Sequence, residues 1–239
     1  MKRYFFSLLA IFCMFVQAMA QSAAPTVSFY SKTEKTDVVL NPGEEHTTQA
    51  PVDLTCAANI DDNGGQYRYK CEWRIYRSDE GEDAPELTRF DDDITYTLTK
   101  SGGYGIKLFT TFVNEANNDT VEVVSEQIKV VVSESKLICP DGFSPNDDDI
   151  NDVYKVEYES LVKVNGVIFN RWGKKMHTFT LENLEQGWNG KQNGEPVKDG
   201  VYFLNLDAIG SDGLHYKIKK AINVLKGRKE SESSTGGGA

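Results

Sequence analysis

Beyond residue 20 this chain has no apolar run that approaches the roughly 20 residues a membrane-spanning helix needs. It is also poor in the residues that do most protein chemistry, with three histidines and four cysteines in 239 residues. His46, His177 and His215 lie far apart in polar surroundings. No nucleophile elbow, paired-histidine zinc helix or phosphate-cradling glycine loop occurs, so no motif with a catalytic mechanism is present. No Cys-x-x-Cys pair or Cys/His cluster points to zinc or to thiol redox work. A non-enzyme with no certain cofactor is the expectation. Positive charge is scarce too: 26 Lys and Arg stand against 36 Asp and Glu, a net charge of −10. An acidic chain repels phosphate backbones and anionic lipid, which argues against a nucleic-acid partner and against direct attachment to a charged membrane.

The one long apolar stretch is at the start. Lys2-Arg3, the apolar run Tyr4 to Val16 and the small residues Ala18-Met19-Ala20 have the layout of an export signal cut before Gln21. Cys13 follows the bulky Phe12 inside the apolar run, which is wrong for a lipid-anchored cysteine. Loss of Lys2 and Arg3 takes the net charge from −10 to −12. Cys56, Cys71 and Cys139 then remain, an odd number. Cys56 and Cys71 fall in neighbouring strand patterns. Export permits a bridge between them, which would close a loop of about 15 residues and add about 3 kcal/mol. Three buried thiols is the other reading.

From Pro25 to Ser133 the pattern is β. Val27 to Tyr30 opens it, and Val52 to Cys56 alternates apolar with polar. Tyr67, Tyr69, Cys71, Trp73 and Ile75 alternate over nine residues, as a half-buried strand does. Tyr104, Ile106, Leu108 and Thr110 form another such run, and Val121 to Val132 closes the region. The Cys56 strand, the Trp73 strand and the Gly-Tyr-Gly-Ile strand read as an immunoglobulin-like or PKD-like sandwich with Trp73 in its core. Asp91-Asp92-Asp93 reads as a solvated acidic turn.

From Phe143 onward the residues are more specific. Ser144-Pro145-Asn146 sets a turn, because Pro fixes φ and Asn tolerates the left-handed region. Asp147, Asp148, Asp149, Asn151 and Asp152 then crowd oxygen ligands into six residues. Such a run is a solvated turn or a Ca²⁺ site; no twelve-residue EF-hand pattern with a bidentate Glu accompanies it. Val164, Gly166, Ile168 and Phe169 form a strand ending at Asn170-Arg171-Trp172-Gly173. There Trp172 either caps the core with Arg171 beside it, or joins Arg171 in an exposed recognition patch. Trp188-Asn189-Gly190 and Asn193-Gly194 carry hairpin chemistry. Asp199-Gly200 launches the apolar strand Val201 to Leu204, and Ser211-Asp212-Gly213 turns it back along Tyr216, Ile218, Ile222 and Val224.

The order and spacing of these motifs, from Phe143 to Lys226, resemble the type B C-terminal domain of type IX secretion cargo, also called the gliding-motility-associated C-terminal domain. The family pattern usually has glycine where Asp147 and Asp149 stand. The resemblance implies an exported protein whose last domain is an address and a docking module. It implies an outer-membrane barrel of the PorP/SprF kind and other type IX components as partners, at the periplasmic face of the outer membrane or the cell surface. It assigns docking to Asn170, Arg171, Trp172 and Gly173, with Phe143 and Pro145. Asp119-Thr120-Val121 resembles an O-glycosylation motif of exported Bacteroidetes proteins, with Thr120 as acceptor.

The whole chain is thus expected to be all-β, with two tandem immunoglobulin-like β-sandwich domains. Residues 1–20 are the signal, 21–134 the first sandwich, 135–226 the docking sandwich and 227–239 a disordered polar tail. With one small sandwich ahead of the docking domain there is no large effector to deliver. The plan is similar to the small PorA-type members, which link the translocon to a two-component regulatory system. A small surface adhesin or structural cargo is the alternative.

Overall fold

Alternating apolar side chains organise the described part of this chain into strands. The computed structural model describes residues 21–226, and no helix occurs among them. The expected signal peptide, with Cys13, and the expected polar tail lie outside the described residues.

The first twelve strands are β1 (Ser22–Ala23), β2 (Thr26–Ser31), β3 (Thr36–Leu40), β4 (Glu45–Thr48), β5 (Val52–Ala57), β6 (Ile60–Asp61), β7 (Tyr67–Arg77), β8 (Pro85–Arg89), β9 (Asp93–Leu98), β10 (Gly102–Asn114), β11 (Thr120–Val124) and β12 (Ile128–Val132). They form two main layers. One sheet runs β3-β2-β5-β9; the other runs β4-β12-β10-β7-β8, with β11 also on β10. Because side chains alternate along a strand, each layer turns one face inward. Val27, Leu54 and Cys56 from one sheet meet Cys71, Trp73, Ile75, Ile106 and Leu108 from the other in a single core. The run expected from Val121 to Val132 is two strands, β11 and β12, which pair with different halves of the long β10.

The remaining strands are β13 (Lys136–Ile138), β14 (Gly142–Phe143), β15 (Glu157–Glu159), β16 (Leu161–Phe169), β17 (Lys175–Thr180), β18 (Lys191–Gln192), β19 (Glu195–Pro196), β20 (Gly200–Gly210) and β21 (His215–Val224). Five of them make a sheet in the order β14-β21-β20-β16-β17. Its inner face supplies Ile168, Leu204, Leu206, Ile222 and Val224 to a second core. The loops and short strands on that side contribute Phe143, Tyr154, Leu184, Trp188 and Val197. Asn193 and Gly194 both have positive φ, 53° and 86°, and turn β18 into β19, as an Asn-Gly hairpin should. The two cores meet at a serine-rich seam. The Ser160 hydroxyl accepts the Ala50 amide at 3.2 Å and lies 2.7 Å from the Ser133 hydroxyl, while Ser101 donates its amide to the Ser211 carbonyl at 3.0 Å.

The Cys56–Cys71 bridge is not formed. Cys56, Cys71 and Cys139 are buried free thiols. Cys56 and Cys71 face the same core from opposite sheets and pack as small apolar groups around Trp73. Burial pushes the Cys56 thiol up to about 12 and those of Cys71 and Cys139 up to about 11, which suppresses the reactive thiolate.

Candidate functional site

The turn between β16 and β17 is built by one side chain. Asn170 Oδ1 accepts the backbone amides of Trp172 at 3.0 Å and Lys174 at 2.9 Å. The Asn170 carbonyl accepts the Gly173 amide at 3.0 Å, and Gly173 takes φ of 78°, which glycine reaches at least cost. This accounts for Asn-Arg-Trp-Gly as a unit: Asn closes the turn, Gly permits it, and the two residues between are pushed outward. Trp172 is 74% exposed. The Arg171 guanidinium lies 4.2 Å above its indole ring, a cation–π pair that holds both side chains. The core-capping reading of Trp172 is therefore wrong. The core tryptophan of this half is Trp188, 1% exposed, whose indole N–H donates to the Lys191 carbonyl at 3.0 Å.

Trp172 borders a groove shared with Met176, Pro196, Val197 and Val201. Val201 and Phe203, each 46% exposed, lie on the outer face of β20, where Phe203 pairs in register with Phe169. These two apolar residues were not singled out from the sequence. The available signal was Val201-Tyr202-Phe203-Leu204, which is apolar on both faces although only one face meets the core.

Phe143 and Pro145 do not belong to an exposed docking patch. Phe143 is 6% exposed and packs its ring 5.3 Å from Trp188 and 5.8 Å from Tyr154. Pro145 is half-buried beneath Gly190, where an added Cβ would sit 2.8 Å from the Pro145 ring. Both are support for the loops above them. Phe143 fills the core because the short strand it ends, β14, pairs with the C-terminal end of β21.

The acidic loop is organised by Asp152. Its carboxylate accepts the backbone amides of Asn146 and Asp147, both at 2.8 Å, and of Asp149 at 2.7 Å. Desolvation pushes the pKa of this carboxyl up, but hydrogen bonds from the amides of Asp147, Asn146, Asp149 and Asp148 outweigh it, and the net shift is downward. Asp148 accepts the Ile150 amide at 2.8 Å and the Asn146 side-chain amide at 2.7 Å. Asp147, Asp149 and Asn151 all have positive φ, 62°, 64° and 56°. Two of these are the positions where the family pattern has glycine. Of the five side chains, the Asp148 and Asp152 carboxylates already accept the loop's own donors. No group of three or more His, Cys, Asp or Glu among the described residues is placed to hold a metal ion.

His177 sits inside the aromatic cluster, 4.6 Å from Phe179 and stacked on Trp188 at 6.4 Å, rather than in a polar setting. Desolvation lowers its pKa, which favours the neutral ring. Asp92 is likewise structural: its carboxylate accepts the Tyr69 hydroxyl at 2.9 Å, and its carbonyl accepts the Trp73 indole N–H at 3.3 Å. Thr120 is exposed at the first position of β11.

Residues 137–224 match the family model of the CHU_C type IX secretion signal domain. This match indicates a protein secreted by the type IX system, and with it export to the cell surface or outer membrane. No curated protein matches the chain. Among solved structures, the chain is similar to dimeric latent PorU from Porphyromonas gingivalis, at 14% identity and a TM-score of 0.25, over 84% of this chain and 20% of that one. It is also similar to a Bacteroides ovatus protein, SGBP-B of a mixed-linkage glucan utilization locus, at 12% identity and a TM-score of 0.24, over 76% of this chain and 42% of that one. A tetra-tandem repeat in the extending region of a large adhesion protein aligns at 10% identity and a TM-score of 0.25, over 87% of this chain and 68% of that one. The chain thus spans about a fifth of the PorU chain.

Proposed function

We propose that this protein is a non-catalytic exported component of the type IX secretion system that docks to an outer-membrane barrel of the PorP/SprF kind through the Arg171–Trp172 turn. The observation that carries the reading is the 74% exposure of Trp172 beneath the Arg171 guanidinium. An exposed indole with a stacked cation costs solubility and contributes nothing to the core. Aromatic and arginine side chains of this kind dominate binding energy at protein interfaces. The groove beside Trp172 and the apolar residues Val201 and Phe203 extend the surface a partner can bury. The first sandwich, residues 21–134, then acts as the sensing or relaying part of a PorA-type protein, passing the state of the translocon to a two-component regulatory system.

Co-purification from envelopes tests the docking step. Arg171→Ala and Trp172→Ala should melt like the parent, since both residues are exposed, yet recover little barrel. Folded variants that retain the barrel in parental amounts would sink the proposal. The relay reading adds a second expectation: a deletion strain changes expression of secretion genes. A strain that secretes normally and loses only surface attachment marks the adhesin reading instead.

A further inference from the structure

Several strands, β3, β4, β8, β9 and β17 with them, end their sheets with one side open among the described residues, and two more, β21 and β11, are open along most of their length. β21 pairs with β20 on one side, while on the other only Asn223 and Val224 meet β14. The Asn223 amide donates away from β20, to the Asp141 carbonyl, at 2.9 Å. Backbone direction alternates along a strand, so the amides and carbonyls of Lys217, Lys219 and Ala221 point the same way. No strand among the described residues meets them there. Among the described residues β11 pairs only with β10. The Ser125 amide donates toward β10, to the Leu108 carbonyl, at 2.9 Å. By the same alternation the backbone groups of Thr120, Glu122 and Val124 point outward, again with no strand against them.

The two edges are opposite in charge. β21 presents Lys217 and Lys219 on its outer face; neither forms an ion pair among the described residues, whereas Lys220 is held by Asp141 at 2.7 Å. β11 is flanked and crossed by Asp119, Glu122 and Glu126 and contains no Lys, Arg or Pro. Natural edge strands are usually blunted by lysine, proline or a bulge. β11 has none of these, its register with β10 is unbroken, and Val121 and Val124 on it are exposed. Each edge is also guarded against itself. Pairing β21 with β21 would bring lysines together, and pairing β11 with β11 would bring carboxylates together, which is destabilising across a strand pair.

We propose that copies of this chain associate head to tail, the acidic edge β11 of one copy adding to the basic edge β21 of the next. Main-chain hydrogen bonds would supply the contact and Lys–Glu pairing the choice of edge, as in strand addition generally. The contact is heterologous, so it builds open chains, or rings where the geometry closes.

Sedimentation of the exported chain tests this across a wide range of concentration at low and high salt. The average mass should rise with concentration at low salt and fall back at high salt, because exposed charge pairs are screened. Lys217→Glu with Lys219→Glu leaves both edges acidic, and that protein should stay monomeric. Glu122→Lys with Glu126→Lys leaves both edges basic, and it should stay monomeric too. Mixing the two should restore association, since each now offers the edge the other needs. Amides of Lys219, Ala221, Glu122 and Val124 should gain exchange protection in the associated sample. A parent that stays monomeric at every concentration overturns the proposal. So does either charge-reversed protein associating alone as well as the parent, which would place the contact on the apolar surface around Phe203 instead.

Discussion

The two halves of this molecule share a construction and differ in surface. Each buries one tryptophan and satisfies its indole N–H with a backbone carbonyl, Trp73 on Asp92 and Trp188 on Lys191. Residues 21–134 carry 21 Asp and Glu against 10 Lys and Arg, whereas residues 135–226 carry 13 against 12. In the first half, apart from Val121 and Val124 on β11, exposed large apolar residues such as Tyr30, Val39 and Phe90 are scattered singly, which is ordinary for a protein surface. In the second, Trp172 and Val201 border one groove and Phe203 lies on the same strand as Val201. Away from the β11 edge the acidic first half has no concentrated apolar surface, whereas the charge-balanced second half gathers one around Trp172, Val201 and Phe203. The docking proposal rests on that asymmetry and not on strand arrangement, which is two facing sheets in the first half and one five-stranded sheet covered by loops and short strands in the second.

The sharpest way to break the comparison is at the three tryptophans. Trp188→Ala should cost about 3–5 kcal/mol, the usual range for emptying a large aromatic from a core. Trp73→Ala should cost as much, but by disrupting the first core. Trp172→Ala should cost under about 0.5 kcal/mol. Denaturant unfolding of the three variants measures this. A Trp172→Ala loss as large as that of Trp188→Ala would return Trp172 to the core and remove the docking proposal's main support.

The strand order of importance was readable from the sequence because alternation is local. The runs Tyr67 to Ile75 and Tyr104 to Thr110 became the paired centre of the first sheet, β7 and β10. Exposure at a turn is not local. Whether Trp172 or Trp188 entered the core depended on which loop folded over the inner face of the β16–β20–β21 sheet, and that is decided by contacts distant in sequence. Phe143 misled for the same reason: its motif is a surface loop, but its own ring is drawn inward by the pairing of β14 with β21. β11 and β12 are merged in the single expected run Val121 to Val132, and the short strands β3, β4 and β8 carry too few alternating residues to announce themselves.

A smaller effect is expected in the acidic loop. Asp147 and Asp149 take φ of 62° and 64°, and neither side chain accepts a hydrogen bond among the described residues. Asp147→Gly and Asp149→Gly should each stabilise the chain by up to about 1 kcal/mol, the cost of left-handed backbone for a residue with a Cβ. The added freedom of glycine in the unfolded chain trims the gain. Thermal melts settle the sign; a loss at both positions would mean the carboxylates themselves hold the loop.

A modest pH response is expected from His177 in the second half. His177 has a lowered pKa in the folded chain because burial disfavours its cation. The unfolded chain therefore binds the proton first. Stability attached to this residue is complete above the unfolded value of about 6.5, falls as pH drops below it, and levels off beneath the folded pKa. His177→Phe should remove that slope and leave the rest of the profile unchanged. A variant that keeps the parental slope between neutral and mildly acid pH would assign it to another group.

The smallest expected effect separates the two readings of the acidic run. A cation that binds only the folded chain raises its melting temperature by mass action. Here Asp152 already spends its oxygens on three backbone amides and Asp148 on two donors, so a Ca²⁺ ion would have to displace hydrogen bonds that define the loop. Melting curves in EDTA and in excess Ca²⁺ should coincide. Asp152→Asn provides the contrast: it removes the charge that the loop amides favour, so it should lower the melting temperature equally in both solutions. A rise with Ca²⁺ that disappears in Asp152→Asn would show the loop exchanging its amide bonds for a metal, and the self-satisfied turn would no longer stand.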